Sequence, residues 1–188
     1  PAAPPPAAPP ARPTGHVAVV HDGDVKSLMM GPPAGARKWP NVKTVEALTA
    51  TTAAADLADL HIGVPGDLGE EDLLEVGFTD GYVRRWIDKH DTYVTVRIYR
   101  FDHAGGGVEF ANNKVGGAEG DVWGSARRNI KDVPNAASFV QPKTRKGLQE
   151  ALVVGGFSDI AILVTTPQRP PAAATVAKSV FGAERKKL

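Results

Sequence analysis

The sequence predicts an α+β domain whose largely antiparallel sheet is built from two hairpins, each followed by a helix. Three observations carry this. Residues 92–101 alternate with period two, with Val94, Val96 and Ile98 on one face and Thr95, Arg97 and Tyr99 on the other. The polar turn Lys89-His90-Asp91 joins them to a second strand-like run over 81–88, which is hairpin patterning. Residues 148–154 and 159–165 make a second hairpin around Gly155-Gly156-Phe157-Ser158, and each hairpin leads through a glycine or proline break into helical spacing. Hairpin-borne strands imply an antiparallel sheet with helices packed on one face. The repeated order of hairpin, break and helix hints at a duplicated architecture.

Residues 1–15 read as a Pro/Ala-rich flexible linker and 16–188 as a single domain. The first 13 residues hold seven prolines, five alanines and Arg12. Proline fixes φ and removes the amide donor, so this stretch reads as a polyproline II spacer rising about 3.1 Å per residue. A spacer implies something to be held away from, so the expectation is a signal peptide, lipid anchor or membrane helix ahead of it. In the body, Val17-Ala18-Val19-Val20 and residues 24–30 read as short strands, the second stopped by Gly31-Pro32-Pro33. Residues 44–58 read as a helix capped by Thr44, and Asp67 to Asp72 as an acidic turn. Residues 104–114 read as a helix through Val108, Phe110 and Ala111. The run Ile160-Ala161-Ile162-Leu163-Val164 is apolar on both faces, as a central strand covered on both sides would be. Pro167 to Pro171 ends it, and residues 172–185 read as a helix through Val176, Val180 and Phe181. The expected core is Val83, Ile87, Val94, Val96, Ile98, Phe110, Ile160, Ile162, Val164, Val176 and Phe181.

Composition narrows the function. The chain has 188 residues, 42% of them hydrophobic, which is enough to close a core. Lys and Arg number 22 against 21 Asp and Glu, so no global positive field favours specific nucleic-acid recognition. No cysteine is present, which excludes disulfides, thiol catalysis and Cys-ligated metals. No Gly-X-Gly-X-X-Gly follows a strand, so a dinucleotide site has no support and no cofactor is expected.

The candidate chemistry is sparse. His16, His21, His61, His90 and His103 show no spacing that places two imidazoles on one helical face, and no metal is expected. His21-Asp22-Gly23-Asp24 is read as a turn. Asp102-His103 is read as a neighbouring pair whose side chains point apart along a strand. Ser125 and Ser158 lack a nucleophile-elbow setting. The runs Gly105-Gly106-Gly107 and Gly116-Gly117 are read as turns and helix starts, not phosphate loops. Arg127, Arg128, Lys131, Lys143, Arg145 and Lys146 cluster in a stretch whose only acid is Asp132, the candidate surface for an anionic partner. Pro134, Asn135 and Pro142 are taken as a connection that folds this stretch back on itself. Asp67, Glu70, Glu71, Asp72 and Glu75 form an opposite pole suited to a contact with another protein. Trp86 shares a strand face with Tyr82 and Arg84, and with Arg97 it makes a candidate ligand face; core packing is the ordinary alternative.

Four stretches carry a resemblance: Asp24-Val25-Lys26-Ser27-Leu28-Met29; Pro33-X-Gly35-Ala36-X-X-Trp39; Gly77-Phe78-X-X-Gly81-Tyr82-X-X-X-Trp86; and Val96-X-Ile98-X-X-Phe101. In these the chain resembles exported, mostly uncharacterised actinobacterial domains carried after a Pro/Ala-rich linker, and its element order is similar to the PsbP/Mog1-like fold. The resemblance implies an extracytoplasmic address and a fold class, and it brings no catalytic residues. The leading expectation is an extracytoplasmic, membrane-tethered binding or protein-interaction domain without catalytic activity. An enzyme with scattered site residues, His90 or His103 among them, comes second, and a cytosolic structural or assembly subunit third.

Overall fold

A computed structural model describes residues 20–60, 69–120, 123, 127–142, 146–169 and 174–188. In chain order the elements are α1 (Val25–Leu28), β1 (Val45–Leu48), α2 (Ala50–Asp59), α3 (Glu70–Glu75), β2 (Phe78–Ile87), β3 (Tyr93–Phe101), α4 (Gly106–Gly120), β4 (Arg128–Ile130), β5 (Val133–Val140), β6 (Gln149–Phe157), β7 (Ile160–Gln168) and α5 (Thr175–Arg185). The seven strands form one sheet in the order β1-β2-β3-β7-β6-β5-β4, and every neighbouring pair is antiparallel.

Both expected hairpins form, and they lie side by side. β2 pairs with β3 (Val83↔Arg97, Trp86↔Val94), β6 pairs with β7 (Val154↔Leu163), and the two join along β3 and β7 (Ile98↔Ile162). β7 is therefore central, as its two apolar faces require. The second turn is Ser158-Asp159; Gly155 and Gly156 stay in β6, opposite Ile162 and Ala161. β7 also continues through Pro167. The β3–β7 register ends at Thr95↔Thr165, so beyond it Pro167 faces only β6 and its missing N–H leaves no ladder bond unmade.

The helices do not share one face, contrary to the one-sided layering expected. α2, α3 and α4 cover the side bearing Val83, Tyr99, Phe101, Leu152, Val154 and Leu163. α1 and α5 cover the side bearing Trp86, Val94, Val96, Ile98, Ile160, Ile162 and Val164. Both sides of β7 are apolar and both sides of β3 are buried, and one layer of helices would leave half of that surface in water. Of the expected core residues, all are buried except Val176, which is half-buried against the α5-side cluster.

Several local expectations are corrected. Residues 24–30 are not a strand: Asp24 accepts a hydrogen bond from the Lys26 amide at 2.9 Å and caps the single-turn α1. The helix expected over 44–58 is β1 followed by α2. Thr49, not Thr44, is its N-cap: the Thr52 amide donates to Thr49 Oγ1 at 3.3 Å, and the Thr49 amide donates to Thr52 Oγ1 at 2.8 Å. The described part of the acidic turn is α3, with Glu70, Glu71 and Asp72 in its first turn, where the helix dipole favours negative charge. Gly116 and Gly117 lie inside α4 and do not form a turn. The connection around Pro134 and Asn135 is part of β5, with Pro134 at the irregular step between Asn129 and Ile130 where no ladder donor is demanded. The expected strand over 17–19 falls outside the described residues.

Candidate functional site

The α5 face of the sheet holds a cavity of about 380 Å³ at the turn end of the first hairpin. Its floor is Trp86, near the end of β2, and the register partner of Trp86, Val94. The first two turns of α5 make one wall with Thr175, Val176, Ser179 and Val180, and Pro33 and Ala34 close another side. Asp88, Lys89 and His90, from the turn that joins β2 to β3, form the polar rim. The turn is stiffened from within, since Asp88 Oδ1 accepts from the amides of His90 and Thr92, both at 2.8 Å. Pockets of this size with an apolar lining and a few placed polar groups are the usual form of a small-molecule site.

Four buried polar atoms on this face find no partner among the described residues: the indole N–H of Trp86, the hydroxyl of Thr166, Arg84 Nε and Glu184 Oε1. Trp86 is 1% exposed and Thr166 fully buried. Buried polar groups are hydrogen-bonded in the great majority of cases, so these unpaired atoms stand out.

Deeper along the same face, Arg84 donates to the Met30 carbonyl, and the Met30 amide donates to Glu184 Oε2 at 2.7 Å. Glu184 is fully buried and its Oε1 is unpartnered. Burial pushes its carboxyl above the ordinary value, against the pull of the Met30 amide, Arg84 and Lys187.

The expected ligand face of Trp86, Arg84 and Arg97 is divided by the sheet. Trp86 and Arg84 share the α5 side, but Arg97 pairs with Val83 and stands on the opposite side. There Arg97 is clamped by Asp56 of α2, through Nε and through Nη2 at 3.0 Å, and by Thr165 Oγ1 at 3.0 Å. Burial opposes the Arg97 charge, and the Asp56 carboxylate more than offsets it, so the guanidinium is held more firmly protonated than usual. Burial and the Asp56 charge push the neighbouring Tyr99 phenol well above its ordinary range, so it stays neutral. This is an internal tie between α2 and the sheet.

The histidines separate likewise. His90 lines the cavity. His21 Nδ1 lies 2.6 Å from Asp159 Oδ1, the His21 amide donates to Asp159 Oδ2 at 2.9 Å, and Arg100 donates to the His21 and Gly23 carbonyls. His103 and Asp102 do not point apart: Nδ1 sits 2.8 Å from Asp102 Oδ1, because β3 ends at Phe101 and strand alternation no longer applies. The amides of Gly105 and Gly107 both donate to the Ser158 carbonyl, at 3.1 and 3.0 Å, so they are not an anion cradle. His16, His61 and Ser125 lie outside the described residues, as do Lys143, Arg145 and Asp67. Of the basic cluster, Arg127, Arg128 and Lys131 are exposed along the edge strand β4 and the turn after it, and Lys146 is exposed before β6. No group of three or more His, Asp or Glu side chains placed to hold a metal occurs among the described residues.

Sequence reading singled out Trp86 and His90 but missed Asp88, Lys89 and Ser179 as their neighbours in one cavity, and it missed Asp159 as the partner of His21. The cavity draws on residues 33–34, 86–94 and 175–180, and no local pattern announces that meeting.

No protein-family model matches the chain, and no curated protein matches it. Among solved structures it is similar to the extracellular domain of PknH from Mycobacterium tuberculosis, at 9% identity and a TM-score of 0.49, over 81% of this chain and 80% of that one. That likeness is too distant to carry an argument about what this chain binds.

Proposed function

We propose that the chain is an extracytoplasmic binding domain held out on its Pro/Ala-rich segment, with the cavity over Trp86 as its site. The observation that carries this reading is the cavity itself: an apolar floor and wall with a polar rim. The extracytoplasmic address is supported by the composition of residues 1–13 and by the resemblance to exported domains. No described helix is long and apolar enough to cross a membrane. The exposed Arg127, Arg128 and Lys131 form a second surface, suited to an anionic partner, whether another protein or a membrane.

Amide and indole NMR of the 188-residue chain, titrated with small acids, amines, alcohols and sugars, tests the site. Binding should move the resonances of Trp86, His90, Val94 and Ser179 together. Shifts confined to other regions, or none with any compound, refute it. A second reading, an enzyme acting through the cavity, is favoured only by His90 on its rim. It would require a compound that binds there to be chemically converted, and His90→Ala to abolish the conversion.

A further inference from the structure

One wall of the cavity, Pro33 and Ala34, belongs to no helix or strand. It hangs between two anchors. On one side is Met29, 2% exposed in the core cluster on the α5 face, and on the other the bridge between Arg37 and Ile87. Between them Gly31 to Gly35 are exposed, and Pro32 and Pro33 have no amide to donate. Among the described residues, the hydrogen bonds that fasten this stretch to the body are those of Met30. Its amide donates to Glu184 Oε2 at 2.7 Å, and its carbonyl accepts from Arg84.

The acceptor that holds Met30 is a fully buried carboxyl whose Oε1 has no partner. It stands directly behind the cavity: Val180 precedes Glu184 by one turn of α5, and Arg84 neighbours Trp86 on one face of β2. Two charges face it. Arg84 comes from β2, and Lys187 follows α5, with its Nζ donating to the Met29 carbonyl at 3.1 Å. β6 and β7 face α5 with Val153, Ile160, Ile162 and Val164, none of which titrates. An ionised Glu184 leaves a bare oxygen among these side chains, which burial penalises. A protonated one needs no counter-charge, and its carbonyl oxygen still accepts the Met30 amide. Release of Met30 opens the carboxylate to water, so the ionised form favours release and the neutral form favours closure.

We infer that residues 30–34 are a proton-gated wall of the cavity, closed while Glu184 carries its proton and released when it ionises. Burial raises the Glu184 carboxyl above 4.5, the direction a closed state that prefers the neutral form requires. The closed state holds the proton more tightly, so opening grows as pH rises through the closed-state value. The consequence for binding rests on the cavity being the site: ligand is held at acid pH and let go as pH rises.

The test follows the Glu184 carboxyl ¹³C resonance and amide hydrogen exchange in the 188-residue chain from about pH 4 to 7. Met30 protection, corrected for the intrinsic rate, should fall with the Glu184 midpoint, by about ten-fold for each unit by which closure raises it. It should stay below that of Ile98 in β3, the mark of local release. The Ala34 and Ser179 resonances should move with the same midpoint. Asp88 and His90 on the rim are ionisable too, and both remain in Glu184→Gln, so the component this variant loses belongs to Glu184. Met30 protection in that variant should be flat; if the variant does not fold, the coincidence of midpoints in the wild type decides. Wild-type protection that ignores pH, follows another midpoint or equals that of Ile98 overturns the gate. Benzyl alcohol, an uncharged probe, separates gate from site. Binding several-fold tighter at the acid end supports both, and equal binding at both ends overturns the gate's control of the cavity. No binding at either end refutes the cavity as the site, while exchange at Met30 still decides the gate.

Discussion

Replacing Gly156 by alanine tests how α4 is seated on the sheet. A Cβ at Gly156 would lie 2.2 Å from the Gly107 carbonyl oxygen, 2.5 Å from Val108 Cα and 2.6 Å from the Gly107 carbonyl carbon. Gly107 in turn would place a Cβ within 2.3 Å of the Ile160 carbonyl. Every clashing atom is backbone, so no rotamer change relieves it. Carbon atoms in contact sit about 3.5–4.0 Å apart, so the start of α4 must retreat by more than about 1 Å. That retreat loosens Phe110, whose ring centroid lies 5.2 Å from that of Phe101 and 5.4 Å from that of Tyr99, as well as Ala111 and Val115. Overpacking costs typically about 1–3 kcal/mol, and with backbone on both sides the expected loss is at the top of that range, about 3 kcal/mol. A domain with about 5–15 kcal/mol of stability would feel this as a large drop in its urea midpoint. Gly182→Ala is the control with opposite sign. It lies in α5 with no atom within 4 Å of an added Cβ, so removing a mid-helix glycine should stabilise by up to about 1 kcal/mol. A Gly156→Ala midpoint indistinguishable from wild type, or a shift of both variants in the same direction, would refute this packing.

Val96→Asp puts an unpaired charge at a position with 0% exposure and should cost several kcal/mol, abolishing cooperative melting; a cooperative melt near the wild-type temperature contradicts the core assignment. Burial raises the Glu184 carboxyl above 4.5, so the native state holds that proton more tightly than the unfolded chain. Its contribution is therefore present at acid pH and lost as pH rises through the folded value, and Glu184→Gln should flatten that part of a urea-midpoint series run from about pH 4 to 7. Equal slopes in the two proteins would show that Glu184 does not titrate this way. Asp159→Ala should cost about 2 kcal/mol by removing the buried acceptor of the His21 amide, and should speed hydrogen exchange at His21; unchanged exchange there would mean the segment is held otherwise. Heparin or anionic-vesicle binding at low salt should fall as salt screens exposed charges beyond about 8 Å, and should weaken in the Arg127, Arg128, Lys131 triple alanine variant by about 1 kcal/mol per basic group removed. Binding that ignores both salt and mutation removes this surface from consideration.

Those parts of the fold that rest on local pattern were legible in the chain. The β2–β3 and β6–β7 hairpins follow from alternating β-branched residues, and α4 and α5 follow from breaks and helical spacing. What escaped depends on competition between signals. Residues 44–58 are rich in helix formers, yet Val45-Glu46-Ala47-Leu48 is taken by pairing with 81–84, and the helix then starts at the next available cap, Thr49. Asp24-Val25-Lys26-Ser27-Leu28 is too short for a period to declare itself, and a cap decides it. Gly155-Gly156 reads as a turn by composition, but their small size serves the approach of Phe181 on one side and α4 on the other. The two-sided cover was implicit in the double-faced run at 160–164, and packing both helices on one side contradicted it.

The candidate site shows where sequence reading stops, and the reason is parity. Trp86, Arg84 and Arg97 are all prominent on their strands, but which of them share a face depends on the register across the turn. Ile87 pairs with Tyr93, so five residues, Asp88 to Thr92, close the loop, and paired positions sum to an even number. Even-numbered Trp86 and Arg84 therefore face the same way as Val94 and Val96, and odd-numbered Arg97 faces the other way. A loop one residue shorter would have put Arg97 beside Trp86. Read as Lys89-His90-Asp91 between the runs 81–88 and 92–101, the turn carries this same parity, but the pairing was not carried across it to fix a face. The same parity puts Trp86 on the α5 side, and only the fold reveals that the first turns of this helix, some 90 residues later in the chain, line one cavity with it. A cavity assembled from a loop, a strand end and a distant helix start has no spacing to detect.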